Sequence, residues 1–296
     1  MADLTQADVA AALTHIEKDA LSDKSIALLD AAKAAPRGHI LGLTGPPGVG
    51  KSSLTQALVD QWVSAGKRVA VLAIDPSSQR SGGALLGDRT RLNLTHYGEQ
   101  AFTRSMAAGR RLGGLSDATY PAALFLRAHF DRVVVETVGV GQSETEITSV
   151  ADSVALCIQP GSGDSLQFMK AGIAEVPDIV FVTKSDLTML ARRAAADMRG
   201  ALSLTKSGGA ETPVLLVSAK DRTGLEEAVA TIEESFGDTS IDDAMFLTYA
   251  KERIARAGGE AAVALFEDAA LSEGFGALKQ LQSQISVSLT GVDQDS

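Results

Sequence analysis

The sequence predicts an α/β fold, a mainly parallel central sheet flanked by helices, with helical extensions at both ends. Three observations predict it. Short Val/Ile/Leu-rich runs recur between residues 37 and 236 without strict alternation, as strands buried on both faces of a parallel sheet do. Longer amphipathic stretches separate most of these runs, giving repeated βα units. Outside 37–236 the strand signal is absent and the apolar spacing has helical period.

The elements follow in order. Residues 6–35 are alanine-rich, with Val9, Leu13, Ile16, Ile26 and Leu29 at helical spacing, and Pro36 stops the pattern. Strands are expected at His39–Thr44, Arg68–Ile74, Arg132–Thr137, Ser153–Gln159, Asp178–Thr183 and Pro213–Ser218. A helix is expected over Ser52–Ala65. Beyond about residue 238 the segments 241–256, 259–271 and 274–288 read as helical. This divides the chain into an N-terminal helical extension (1–36), a central α/β domain (37–236) and a C-terminal helical extension (237–296). The C-terminal extension is a candidate for dimer or partner contacts.

Composition narrows the function. The net charge of −10 argues against a broad nucleic-acid or anionic-membrane footprint. The 4% aromatic content argues against base stacking as the main means of recognition. Residues 1–36 carry three lysines against six acids, and residues 237–296 carry four basic residues against ten acids, so the centre is almost neutral. Cys157, the sole cysteine, cannot form an internal disulfide, and with His15, His39, His96 and His129 it offers no metal-ligand cluster. No basic residue precedes Lys18, unlike a signal or transit peptide. The apolar run Val69–Ile74 is far shorter than the ~20 residues that span a bilayer. A cytoplasmic location is expected.

Gly45-Pro46-Pro47-Gly48-Val49-Gly50-Lys51-Ser52 matches G-x4-G-K-[ST], between an expected strand and an expected helix. Its glycines let backbone N–H groups turn inward around a phosphate chain, and the helix N-terminus adds a favourable dipole. Lys51 supplies positive charge to the β- and γ-phosphates and Ser52 a hydroxyl to Mg²⁺. The fold is therefore that of a P-loop NTPase.

Two later segments select the base. Thr183-Lys184-Ser185-Asp186 ends a strand and fits [NT]-K-x-D, in which the carboxylate accepts from guanine N1–H and the exocyclic amine. Ser218-Ala219-Lys220 ends the next strand and fits the loop that caps a guanine base. Glu136-Thr137-Val138-Gly139 stands where D-x-x-G is usual, an acid for Mg²⁺ or its water and a glycine N–H for the γ-phosphate. Asp75 and Asp88 bracket a Ser/Gly-rich loop suited to a switch, or simply a surface loop with capping aspartates.

In order and spacing, four segments resemble the MeaB/ArgK-type GTPases associated with methylmalonyl-CoA mutase. They are the P-loop, Asp75 to Asp88, Glu136 to Glu144, and Pro160-Gly-Ser-Gly163-Asp164-x-x-Gln167. The resemblance covers roughly 37–236. It implies a GTP/GDP-binding, Mg²⁺-dependent GTPase that works as a homodimer and gates adenosylcobalamin delivery to an acyl-CoA mutase, or protects or reactivates that enzyme. It places Gly45 to Ser53 in the phosphate loop, Asp75 and Asp88 in a first switch, and Glu136, Gly139, Gln142 and Glu144 in a second. Gly163, Asp164 and Gln167 fall in a third, facing the partner mutase. The family usually has Asn where Thr183 stands, and the tail beyond 237 lacks its basic, tryptophan-bearing helical pattern.

Phosphoryl transfer to water needs positioning and charge neutralisation. Lys51 and Mg²⁺ on Ser52 supply most of the charge, and Asp75 or Glu136 orients water or metal. Gln142 is either a water-positioning group or a polar helix start. Arg80, Arg104, Arg110 and Arg111 are candidates for a charge-stabilising arginine. Three rivals are a metal-insertion GTPase, a P-loop kinase and a non-catalytic nucleotide-binding module. Each conflicts with the absent metal cluster, the guanine-type segments or the full set of Lys51, Ser52, Asp75 and Glu136.

Overall fold

The computed structural model describes residues 4–75, 92, 94–108, 115–137, 146–161, 177–205, 211–236, 242–264, 266 and 273–290. By contact density the chain forms two compact units. One comprises 37–116 and 130–237, the other 1–36, 117–129 and 238–296.

Among the described residues the first unit holds seven parallel strands: β1 (His39–Thr44), β2 (Val69–Asp75), β3 (Ala101–Ala107), β4 (Arg132–Glu136), β5 (Ser153–Ile158), β6 (Ile179–Val182) and β7 (Val214–Leu216). Their order is β3-β2-β4-β1-β5-β6-β7. The chain runs outward from β1 to β3, returns to β4, then proceeds to β7, so direction reverses around β1. In such sheets ligands sit beyond the carboxyl ends of the strands at this reversal. Strands β2, β4, β5 and β6 are buried at every residue, as their unbroken apolar runs require.

The helix α3 (Lys51–Ser64) follows β1 directly. Its apolar face, with Leu54, Leu58, Val59 and Trp62, packs with Leu43, Val134 and Phe181 in one core. The later α5 (Thr188–Thr205) buries Ala191, Ala195, Met198 and Leu202 against Leu156, Val180 and Val182 in another. The helix α6 (Leu225–Ser235) places Glu233 where it accepts 2.9 Å from Trp62 Nε1 and pairs with Arg132 at the start of β4. The unexpected strand is β3. Its pattern is half-exposed around Thr103–Ser105, so it carries no continuous apolar run.

The second unit is helical. The expected 6–35 stretch is two helices, α1 (Gln6–Lys18) and α2 (Asp23–Ala34). Asp19 Oδ1 accepts from Leu21 N at 2.9 Å, and the Ser22 side chain caps α2, so local side-chain hydrogen bonds turn the chain between them. They pack with α4 (Thr119–His129), buried at all eleven of its residues. Also in this unit are α7 (Asp242–Gly258), the short α8 (Glu260–Val263) and α9 (Phe275–Thr290). The helix expected over 259–271 is thus a single turn within the described residues. Phe246, Tyr249 and Phe275 form an aromatic cluster with ring centroids 5.0 to 6.4 Å apart. Among the described residues no helix is long and apolar enough to cross a membrane.

Candidate functional site

The chain leaves β1 into Gly45–Gly50, which leads straight into α3. Gly45 has φ 135°, and a Cβ there would lie 2.1 Å from Cys157 O, so the loop crosses β5 at a distance only glycine allows. Gly48 (φ 78°) and Gly50 (φ 103°) complete the turn. No side chain caps the start of α3, so its first N–H groups and its positive dipole end suit an anion. Lys51 is almost fully buried, and its Nζ donates to Gly45 O (2.5 Å) and Pro46 O (3.0 Å). This folds the ammonium back over the loop.

Glu136 ends β4, beside Leu43 of β1 and Ala73 of β2. Its Oε1 accepts from Ser52 Oγ at 2.7 Å and its Oε2 from Thr55 Oγ1 at 3.0 Å. Thr55 was not anticipated, although its i,i+3 spacing from Ser52 puts both hydroxyls on one helix face. The extra methylene of Glu over Asp lets one carboxylate reach both. Asp75, 1% exposed, ends the adjacent β2. Ser52 Oγ and the Glu136 carboxylate are hard oxygen donors, the chemistry Mg²⁺ requires. Among the described residues no group of three or more His, Cys, Asp or Glu could hold a metal alone. Burial pushes the nearby Cys157 thiol up to about 12, with Lys51 opposing and Glu136 reinforcing the shift, so this sulfur is inert.

The base-type segments end β6 and β7. Thr183 Oγ1 shares its proton between Val49 O (2.6 Å) and Ile158 O (2.9 Å). Lys184, at φ 52°, donates from Nζ to Gly48 O (2.9 Å) and to Gln159 Oε1 (2.5 Å). Gln159 is a second residue not anticipated; it directly follows β5. Both side chains of the Thr-Lys pair therefore hold the phosphate loop. Asp186 is half-buried beside Ser218, whose Oγ lies 3.4 Å from Oδ1, and Lys220, whose Nζ lies 3.7 Å from Oδ2. Ser185 N donates to Val217 O at 3.1 Å, joining the two segments through the backbone.

The structure thus brings together Gly45–Ser53, Asp75, Glu136, Thr183, Lys184, Asp186 and Ser218–Lys220 at the carboxyl ends of β1, β2, β4, β6 and β7. Asp88, Gly139, Gln142, Glu144, Gly163, Asp164 and Gln167 lie outside the described residues, as do Arg80, Arg110 and Arg111. Arg104 lies within β3, opposite Leu72, three residues before the strand ends.

The family model described as methylmalonyl Co-A mutase-associated GTPase MeaB matches residues 9–258. A probable GTPase of Mycobacterium tuberculosis is 42% identical over 200 residues, covering 66% of this chain and 60% of that protein. The mitochondrial methylmalonic aciduria type A homolog of Mus musculus is 38% identical over 199 residues, 66% of this chain and 48% of that protein. The matched segment thus spans about 60% or less of these relatives' length. Among solved structures, a LAO/AO transport system kinase superposes with a TM-score of 0.56 at 24% identity, covering 99% of this chain and 85% of that one. The hydrogenase maturation factor HypB of Archaeoglobus fulgidus gives 0.53 at 13% identity, with 78% and 100% covered. At these identities the two structures show the fold alone.

Proposed function

The chain belongs to the methylmalonyl Co-A mutase-associated GTPase family MeaB, and on that premise we propose that it binds and hydrolyses GTP as the chaperone of a cobalamin-dependent acyl-CoA mutase. The observation that carries the nucleotide part is the joining of two loops. Thr183 and Lys184 hydrogen-bond to Val49 O and Gly48 O, so the loop bearing Asp186 is fastened to the phosphate loop. A guanine nucleotide needs both ends held at once.

Gly45–Ser53 wraps the phosphates with backbone N–H groups, and Lys51 exchanges its two carbonyl partners for phosphate oxygens. Asp186 accepts from guanine, with Ser218, Ala219 and Lys220 closing the loop over the base. Mg²⁺, when bound, neutralises β- and γ-phosphate charge; Ser52, with Glu136, Asp75 or Asp88, would hold it. Glu136 also orients the Ser52 hydroxyl through their hydrogen bond. Gly139 and Gln142 belong to the γ-phosphate side in this reading. Gly163, Asp164 and Gln167 form the switch that meets the mutase. The protein works as a homodimer in the cytoplasm, and the mutase accelerates slow intrinsic hydrolysis through the switch residues.

The test is phosphate release from GTP and from ATP, with and without a cobalamin-dependent acyl-CoA mutase. Release from GTP in preference to ATP, faster with a mutase, is the expected result. Equal rates with every such mutase would remove the chaperone role and leave the GTPase. Sedimentation with bound GDP or GTP tests the dimer.

A further inference from the structure

Asp60 lies on α3 nine residues beyond Lys51, about 14 Å further along the helix axis. Its carboxylate accepts from three side chains drawn from three parts of the unit. Arg222 Nη1 donates to Oδ2 at 2.8 Å, Gln56 Nε2 donates to Oδ1 at 2.9 Å, and the Tyr97 hydroxyl donates to Oδ1 in a short contact. Burial pushes this carboxyl up, but the donors together outweigh burial and hold it below its ordinary value.

Two of these donors come from informative places. Arg222 belongs to the turn after Ser218-Ala219-Lys220, closed by the bridge between Ser218 and Thr223. It is one of two non-glycine residues with positive φ among those described, at 57°. Such a conformation persists only where surrounding contacts determine it. That turn grows from β7, a three-residue strand at the edge of the sheet, so the ladder itself gives little support. Tyr97 belongs to the turn Thr95–Gln100, immediately before β3 at the opposite edge.

We propose that Asp60 is a positioning residue for base recognition: through Arg222 it sets the Ser218–Lys220 loop against Asp186, and through Tyr97 it ties that loop to the turn entering β3. The inference rests on the guanine reading of Asp186. The rigid helix carries phosphate-side Lys51 at one end and this anchor further along, so the two halves of the nucleotide site share one support. Arg222 and Asp60 act through Ser218 and Lys220, which contact Asp186.

The experiment measures equilibrium affinity of the full chain for GDP, IDP and ADP by competition. IDP lacks the exocyclic amine that Asp186 would read, so the GDP:IDP ratio reports how well Asp186 is placed. Arg222→Gln and Asp60→Asn are each expected to lower that ratio about five-fold, the scale of one partly exposed ion pair. The double variant is expected to lose no more than either single one, because the two act as a unit. Arg222→Lys is expected to restore most of the ratio, and Tyr97→Phe to move it in the same direction by less. Thermal midpoints are read on the same samples. A drop in midpoint with an unchanged GDP:IDP ratio overturns the positioning role. An unmodified chain that fails to prefer GDP over ADP overturns the guanine reading, and the positioning role with it.

Discussion

Single residues at the site carry separable energies. Thr183 is the clearest case, because its hydroxyl is buried and lies within hydrogen-bond reach of Val49 O and Ile158 O. Thr183→Val keeps the shape and removes the donor. The expected cost is about 1–3 kcal/mol, visible as a lower denaturant midpoint, together with weaker GTP binding. Gly45→Ala forces a Cβ to 2.1 Å from a carbonyl at φ 135°, and is expected to cost about 3 kcal/mol or more. Gly66→Ala is its control: φ is also positive at 79°, but nothing lies within 4 Å, so only about 1–2 kcal/mol is expected. Lys51→Met is expected to reduce GTP turnover at least about 100-fold in a phosphate-release assay, since it removes charge at the transferring phosphoryl group. The P-loop and base-type residues were legible because their spacing is fixed in the chain. Thr55 and Gln159 were not, because each acts through a partner far away in sequence, 81 residues for Thr55 and 25 for Gln159.

At the scale of elements, burial on both faces decided what could be read. Six strands announced themselves as apolar runs, and β3 did not, because exposed Thr103 and half-buried Arg104 and Ser105 interrupt its apolar residues. The break between α1 and α2 was hidden for another reason. Helical period continues across Asp19–Ser22, and only the cap hydrogen bonds reveal the turn. Elements are also joined by polar anchors that no periodicity predicts. Glu233 on α6 takes the Trp62 N–H of α3 and the Arg132 guanidinium of β4. Glu233→Leu would strand both donors and is expected to destabilise the sheet unit by about 2 kcal/mol or more, measured by urea denaturation. Glu233→Gln, which keeps an acceptor, is expected to cost less.

At the scale of the whole molecule, three acids among the described residues, held neutral by burial, contribute to the loss of stability at alkaline pH. Burial raises Cys157 from 9.0, and Tyr97 and Tyr249 from 10.0, each to about 12. In the unfolded chain these groups ionise at their ordinary values while the folded chain keeps its protons. The native state then binds more protons, so stability falls as pH rises. Their contribution is complete below about pH 9 and is lost on the way to pH 12. Denaturant midpoints across that range are expected to fall, and Cys157→Ser is expected to flatten the onset near pH 9. Cys157 lies in the sheet unit and Tyr249 in the helical one, so both units are expected to weaken. Charge is divided between the units as well. The terminal segments that build the helical unit hold nearly all of the net negative charge. That asymmetry was readable from composition. The membership of 117–129 in the helical unit was not, because it depends on packing with α1 and α2 rather than on anything in its own thirteen residues.

The three-part make-up of the helical unit bears on how the chain is born. Synthesis runs from the N-terminus, and segments fold as their partners emerge. Val9, Leu13, Ile16 and Leu29 leave the ribosome early, yet Asp30 finds Phe275 N 245 residues later. The last strand of the sheet unit ends at Leu216, so that unit has all its strands while Phe275 and Leu278 are still to be translated. Helices α1 and α2 are translated well before α9, and until Phe275 emerges the part of their surface that it covers is a client for whatever protects nascent chains.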